Sequence, residues 1–418
     1  MSDLPTQVEI HEEGPREGFQ IEPGPISTAD KIKLIEALAE TGLCHIQAAS
    51  FVSPRIVPGW ADAEDVVAGF TPKEGVHYTG LWFNANGLNR ALVFRNKLTI
   101  SGSIALTASE AFTRKNLHRS HAENVEAMKK QTALHLENDV EVPRIGVMAA
   151  FGCNYQGDIA PSQVISTLED GLAIAEEAGA EIKYFSLADT MGWATPMRIE
   201  RVLGEVRSRW PDTPIALHLH DTRGLAVANA HAGLKMGVTQ FDSTVGGLGG
   251  CPFAGQPKAA GNICTEELVL LCEEMSIDTG VDLDALIEVG RMAEEIVGHQ
   301  LPSELIHAGS LDAFRRRAEA QLRARSQPLG YFKARREVGP GRQAAGTRPA
   351  AASISRICRA AVARSASSRH DATSSSSACA RSPRNRNGFS KNLGATSSGF
   401  CPSSTQSGIC LPRRLGRM

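Results

Sequence analysis

His218 and His220, one residue apart in HLHDTRG, are the side chains in this sequence best suited to chemistry. Side chains alternate between faces on a strand, so both imidazoles point to one side. An isolated pair of this kind is commonly two hydrogen-bonded core histidines. Glu17, in GPREGFQIE, changes that weighting: two imidazoles and a carboxylate suit a divalent metal that keeps positions open for water or substrate oxygens. Asn262, in AAGNICTEELV, offers an amide oxygen to the same ion, or else caps a helix. Arg16 supplies a fixed charge able to offset an enolate or alkoxide oxygen, its ordinary alternative being a solvated ion pair. Cys251 lies in VGGLGGCPFAGQP, a glycine-dense loop that can approach a ligand closely, and a tuned thiol there can give or take a proton.

These residues need a scaffold that gathers them, and the hydrophobic pattern supplies one. Eight β-rich runs are predicted, at residues 8–13, 45–51, 77–83, 98–106, 142–150, 182–188, 215–220 and 240–245. Amphipathic stretches alternate with them. The first follows Ser27, which caps a helix with Asp30 three residues on, buries Ile32, Leu34, Ile35 and Leu38, and stops at Gly42. Eight βα units predict a (β/α)8 TIM barrel, and no GxGxxG follows the first strand to favour a doubly wound sheet. In a barrel the strand C-termini share one end. That end would hold Arg16 and Glu17 after the first strand, Gln47 and Ser50 on the second, Asp189 after the sixth, His218, His220 and Asp221 on the seventh, and the Cys251 loop after the eighth.

The formal charge of −2 over 418 residues hides an asymmetry. Residues 341–418 hold 13 of the 44 Lys and Arg but only one of the 46 acids, Asp371, so the preceding body is strongly acidic. An acidic body argues against nucleic acid or an anionic membrane as its partner. Two regions are expected: a barrel domain over 1–330 with a short helical extension, and a Ser/Arg/Ala-rich disordered tail over 341–418. The tail reads as an anomalous, out-of-frame extension rather than a functional basic arm. No run approaches the apolar length of a membrane span, and the N-terminus has neither a signal core nor a transit-peptide composition, so a cytoplasmic location is expected. Five of the nine cysteines, Cys44, Cys153, Cys251, Cys264 and Cys272, lie in the body without a CxxC pair, as expected for reduced thiols.

The segments GPREGFQIE, IQAASFVSPRIVP, SEAFTRKN, SLADTMGWATP, HLHDTRGLAVANAHAGLKMGV, FDSTVGGLGGCPFA and AAGNICTEELV, in this order, resemble the hydroxymethylglutaryl-CoA lyase family of metal-dependent TIM-barrel lyases. The resemblance runs from about Val8 to about Gly309. It implies Mg or Mn held by Glu17, His218, His220 and Asn262, an acyl-CoA substrate, and a homodimer. It also implies a retro-Claisen cleavage releasing acetyl-CoA and an oxo acid, with Arg16 offsetting oxyanion charge and Cys251 protonating the enolate. Asp189 and His220 are the candidate bases. Lys115 and Asn116, beside Arg114 in FTRKN, are candidate CoA contacts.

Two positions depart from the family pattern. Glu17 stands where the family has an aspartate, and Gln47, Ala48 and Ala49 stand where it reads Glu-Thr-Thr. The second change predicts a neutral, roomier pocket and a substrate related to hydroxymethylglutaryl-CoA without being identical to it. A Claisen-condensing acyltransferase of the isopropylmalate or homocitrate synthase type is the alternative, disfavoured because the body lacks a substantial C-terminal domain. A non-haem Fe(II) oxygenase would use the same ligands, but eight βα units count against it. A binding protein acting through the basic tail rests on composition alone.

Overall fold

The computed structural model describes residues 4–250 and 261–326, and in it every predicted strand is followed by at least one helix. Strand β1 (Glu9–Glu12) passes through a π-turn, Gly14–Gly18, and α1 (Phe19–Ile21) to α2 (Thr28–Ala39). Then come β2 (His45–Ser50) with α3 (Ala63–Gly69), β3 (His77–Leu81) with α4 (Ala85–Leu92), and β4 (Ser103–Thr107) with α5 (Glu110–Leu117) and α6 (His121–Glu137). The second half repeats the unit: β5 (Arg144–Met148) and α7 (Pro161–Ala178), β6 (Tyr184–Ala188) and α8 (Pro196–Arg209), β7 (Ile215–His218) and α9 (Ala226–Lys235), β8 (Gln240–Ser243) and α10 (Thr265–Glu274). Helices α11 (Leu283–Val297), α12 (Leu305–Ala308) and α13 (Leu311–Ser326) follow the last βα unit. The tail expected over 341–418 and the loop cysteine Cys251 lie outside the described residues.

The strands pair in the order β3-β2-β1-β8-β7-β6-β5-β4, all parallel. First and eighth strands are therefore neighbours, which is what curls the sheet into the expected barrel. Among the described residues no ladder joins β3 to β4; Thr99 N instead donates to Tyr78 O at 2.7 Å. Residues 98–102, expected as the start of β4, serve as this lead-in. Gly102 lies so close to α6 that a Cβ there would sit 2.5 Å from His135 Nδ1.

Alternation divides the barrel wall. Ile10, Ile46, Ile104, Ile145, Phe185, Leu217 and Phe241 are at most 2% exposed and pack outward toward the helices. The inward positions are polar: Glu9, His11, His45, Gln47, Arg144, Tyr184 and Gln240 line a cavity of about 340 Å³. The helices start on local signals. Ser27 accepts from Asp30 N, Ser120 and Glu123 form a capping box, and Thr195 caps α8 ahead of Pro196. The left-handed Gly179 and Gly298 end α7 and α11.

Glu12 ties this frame to the active end. Fully buried, it accepts from Gly14 N at 2.7 Å, Val245 N at 2.9 Å and Thr265 Oγ1 at 2.6 Å, joining β1 to the loop after β8. Glu12→Ala strands these donors and is expected to cost about 1–3 kcal/mol, read from urea midpoints. Burial raises the Glu12 carboxyl from 4.5 to about 7 against the pull of those hydrogen bonds. The native chain thus keeps a proton that the unfolded chain sheds above 4.5, and the stability contributed by Glu12 is lost as pH climbs through about 7. The cost of Glu12→Ala should be larger at pH 5 than at pH 8; an equal or larger cost at pH 8 would refute this assignment.

Candidate active site

The π-turn after β1 delivers Arg16 and Glu17 together to the C-terminal end of the barrel. Trp60 Nε1 donates to Arg16 O at 2.9 Å and pins the turn from below. From β7 comes His218; His220, expected on the same strand, lies just past its end in an isolated bridge with Asn262. The two rings still meet, with Nε2 atoms 3.1 Å apart. Glu17 Oε1 lies 4.0 Å from His220 Nε2, and Glu17, His218 and His220 can each aim a ligand atom at one common point. Asn262 Nδ2 donates to Glu17 Oε1 at 3.0 Å and to Leu248 O at 3.2 Å, while its Oδ1 is buried without a hydrogen-bond partner.

The electrostatics fit a cation at this point. Burial alone would raise the Glu17 carboxyl, but the Arg16 guanidinium and then the two histidines outweigh it and hold the group well below the usual carboxylate range. Burial lowers His218, yet its bond to Asp242 Oδ2 (3.2 Å) and the nearby carboxylates carry it up to about 9. His220 is pushed down to about 4 by burial and by the charge of His218. One proton therefore sits between two imidazole nitrogens, beside an ionised carboxylate and an orphaned amide oxygen. Two nitrogens and two oxygens able to replace that proton with a divalent ion are the donor set the sequence predicts, and the residues present fit the group.

The glycines of the loop after β8 make room for it. Three buried carboxylates hold that loop: Glu12 accepts from Val245 N, Glu266 from Gly246 N at 3.0 Å, and Glu17 from Gly250 N at 3.3 Å. Gly249, at φ +87°, lies against the ligands; a Cβ there would sit 2.9 Å from Glu17 Cγ and 3.0 Å from Asn262 Nδ2. The methylene that distinguishes Glu17 from aspartate is accommodated by this contact. Glu17→Asp would withdraw the carboxylate from both Asn262 and Gly250, and Mn²⁺ affinity measured by calorimetry is expected to fall about 10–100-fold. Unchanged affinity would show that the longer reach of Glu17 is not needed to hold the ion.

Gln47 tells a different story from the one expected. Its Oε1 accepts from Arg16 Nε and its Nε2 donates to Glu13 Oε1 at 3.1 Å, while Arg16 Nη2 donates to Glu13 Oε2 at 2.6 Å. The pocket is not neutral: the carboxylate missing from β2 is replaced by one at the end of β1. Sequence reasoning passed over Glu13 and over Asp242, which orients His218; the signal for Glu13 was the alternation Glu9, His11, Glu13 along an inward face. Arg16 Nη2 also lies 3.0 Å from Glu17 Oε2, and Nη1 has no hydrogen bond among the described residues.

Asp189, as expected, follows β6, and its amide donates to His218 O at 2.8 Å. Asp221 instead caps α9 by accepting from Ala226 N at 2.8 Å, and the Ser50 hydroxyl is buried without a partner. Lys115 and Asn116 lie on α5 after β4, with Lys115 exposed, and no hydrogen bond or ion pair among the described residues joins them to the cluster. Burial raises the thiols of Cys264 and Cys272, the latter to about 12, so neither supplies a ready thiolate.

The family model described as HMGL-like matches residues 7–293. The chain belongs to the HMGL-like family. A hydroxymethylglutaryl-CoA lyase of Bacillus subtilis is 40% identical over 303 residues, covering 72% of this chain and 96% of that protein. A 3-hydroxy-3-isohexenylglutaryl-CoA/hydroxymethylglutaryl-CoA lyase of Pseudomonas aeruginosa is 36% identical, covering 71% and 95%. Among solved structures, an HMG-CoA lyase from Acinetobacter baumannii in complex with coenzyme A and 3-methylmalate is 37% identical, with a TM-score of 0.66 over 74% of this chain and 98% of that one. No described helix is long and apolar enough to cross a membrane.

Proposed function

We propose that this HMGL-like chain is a carbon–carbon lyase that cleaves a 3-hydroxy-3-methylglutaryl-CoA-like thioester to acetyl-CoA and an oxo acid. The observation that carries the reading is the convergence of Glu17, His218, His220 and the orphaned Asn262 Oδ1 beside a clamped Arg16. A divalent ion, Mg or Mn, held by those four groups would supply Lewis acidity toward the substrate's 3-hydroxyl. Asp189 Oδ2, buried and without a hydrogen-bond partner, accepts the hydroxyl proton. The C2–C3 bond then breaks, its electron pair passing to C2 as the hydroxyl oxygen becomes the new carbonyl. Arg16 Nη1 donates to the thioester oxygen on which enolate charge collects, and Cys251 returns a proton to the enolate carbon.

Glu13 and Gln47 hold the guanidinium and define the wall beside the acyl group, so the acyl substituent is the property in which this chain departs from hydroxymethylglutaryl-CoA. The Bacillus lyase is named for the methyl-bearing substrate, and the Pseudomonas lyase for both an isohexenyl-bearing and the methyl-bearing one. Lys115 and Asn116 face the coenzyme in this reading. The protein works as a cytoplasmic homodimer, which sedimentation of the full chain would check.

The experiment is acetyl-CoA release by the full chain from 3-hydroxyacyl-CoA thioesters that differ at C3, with Mg²⁺, Mn²⁺ or EDTA, beside Cys251→Ser. Release is expected to need the metal and to be lost in the variant. Metal binding without release from any thioester, combined with thioester condensation in the reverse assay, would replace lyase with synthase.

A further inference from the structure

A second constellation of metal-binding side chains lies at the opposite end of the barrel. His11, His45 and His77 stand in register across β1, β2 and β3, which pair His11 with His45 and His45 with His77. All three belong to the inward alternation. Their rings stack, with centroids 4.5 Å apart for His11 and His45 and 4.9 Å for His45 and His77. Glu9, at the start of β1, reaches between the first two: its Oε1 is 2.5 Å from His11 Nε2 and 3.2 Å from His45 Nε2.

We propose that Glu9, His11 and His45 form a zinc-binding site on the N-terminal face of the barrel, separate from the Glu17–His218–His220 centre. Three observations carry it. One ligand atom from each residue lies within 4.8 Å of the others, a span that an ion can close by small side-chain rotations. The donor set, two imidazoles and a carboxylate, is one that zinc accepts, with water completing the tetrahedron. The third is orientation: Asp242 Oδ1 lies 3.6 Å from His11 Nδ1, on the side of the ring away from Glu9, while Nε2 points toward Glu9. A carboxylate behind a ligand imidazole is the usual supporting partner of a metal-bound histidine.

Asp242 plays this part twice. Its Oδ2 faces His218 Nδ1 at 3.2 Å, so a single carboxylate on β8 orients one imidazole toward each end of the barrel. Access also differs between the two ends. The side chains of Glu9, His11 and His45 are 36%, 21% and 27% exposed and border the cavity of about 340 Å³, so an ion can enter from solvent without passing the other centre.

The test uses the full chain stripped with EDTA and titrated with Zn²⁺ alone against a chromogenic chelator, with total zinc confirmed by mass spectrometry. Two equivalents are expected for the wild type. His45→Asn should keep one and weaken the other by more than about 100-fold, whereas His218→Ala should lose the equivalent that His45→Asn keeps. Cobalt supplies a second readout: the visible d–d bands of the His218→Ala protein report the new site alone and should vanish in His218→Ala/His45→Asn. Should His45→Asn lose its circular dichroism signature, Glu9→Gln, at a more exposed position, is read in its place. A wild type that takes up a single equivalent, lost in His218→Ala, overturns the proposal, as does a His45→Asn protein with wild-type stoichiometry and affinity.

Discussion

Asparagine at position 189 is expected to lower kcat by about 10²–10⁴-fold and to erase the acidic limb of the pH–rate profile. Asp189 is 1% exposed, with Oδ1 accepting from Trp193 N at 2.6 Å and Oδ2 free of hydrogen-bond partners. Burial raises its carboxyl from 3.8 to about 6, against the bonds from the following turn and the charges of Arg223 and His218. A base acts in its deprotonated form, so kcat/KM should climb with pH through about 6 and level off above it. His220 is the rival base, and the profile distinguishes the two: held down near 4 by burial and by His218, it would place the limb two pH decades lower. Asparagine keeps the oxygen that accepts from Trp193 N, so the fold should survive. An unchanged limb near pH 6 in a folded Asp189→Asn protein would remove Asp189 from the reaction.

The sequence was most legible where a single period governs. Strand positions came from alternation, and every expected strand is present because the outward apolar set from Ile10 to Phe241 must meet the helices. The ends were less legible. Residues 98–102 carry strand-like side chains, yet Gly102 fits against His135 only as a lead-in, a tertiary contact that no local propensity encodes. The candidate ligands Glu17, His218, His220 and Asn262 could be proposed together because residue type and position in the chain both limited the choice. Glu13 and Asp242 could not be found by motif: each matters through what the fold sets beside it, Gln47 on the neighbouring strand and Arg16 in the following turn for one, His11 and His218 on the two flanking strands for the other. The expected neutral pocket failed for the same reason. A substitution was read at one strand while its compensating charge stood on the next.

That transposed charge makes Arg16→Gln the most informative single change, with kcat expected to fall about 10²–10³-fold and stability to drop by about 3–5 kcal/mol. The two losses have different origins. Arg16 and Glu13 are each 9% exposed at the side chain, so removing the guanidinium leaves Glu13 buried without its nearest cation and takes the same partner from Glu17. Burial already raises the Glu13 carboxyl, with Arg16 as the main opposing charge, and without it the group must take up a proton or destabilise the fold. Turnover falls because Nη1, the donor left open toward the enolate oxygen, is gone. Glu13→Gln added to Arg16→Gln separates the two effects. Neutralising position 13 removes one of the two carboxylates that lose their guanidinium, Glu17 being the other, so part of the lost stability should return in urea unfolding, while kcat stays low because no oxyanion donor has been restored. Recovery of kcat together with stability would mean that Arg16 acts only by holding Glu13, and the oxyanion role would pass to another group. The mirror exchange, Glu13→Gln with Gln47→Glu, moves the carboxylate back to β2 while preserving the net charge around Arg16. If the wall charge beside the acyl group sets selectivity, that exchange should shift the preference among C3-substituted thioesters with little change in stability; an unaltered preference would place selectivity elsewhere in the pocket.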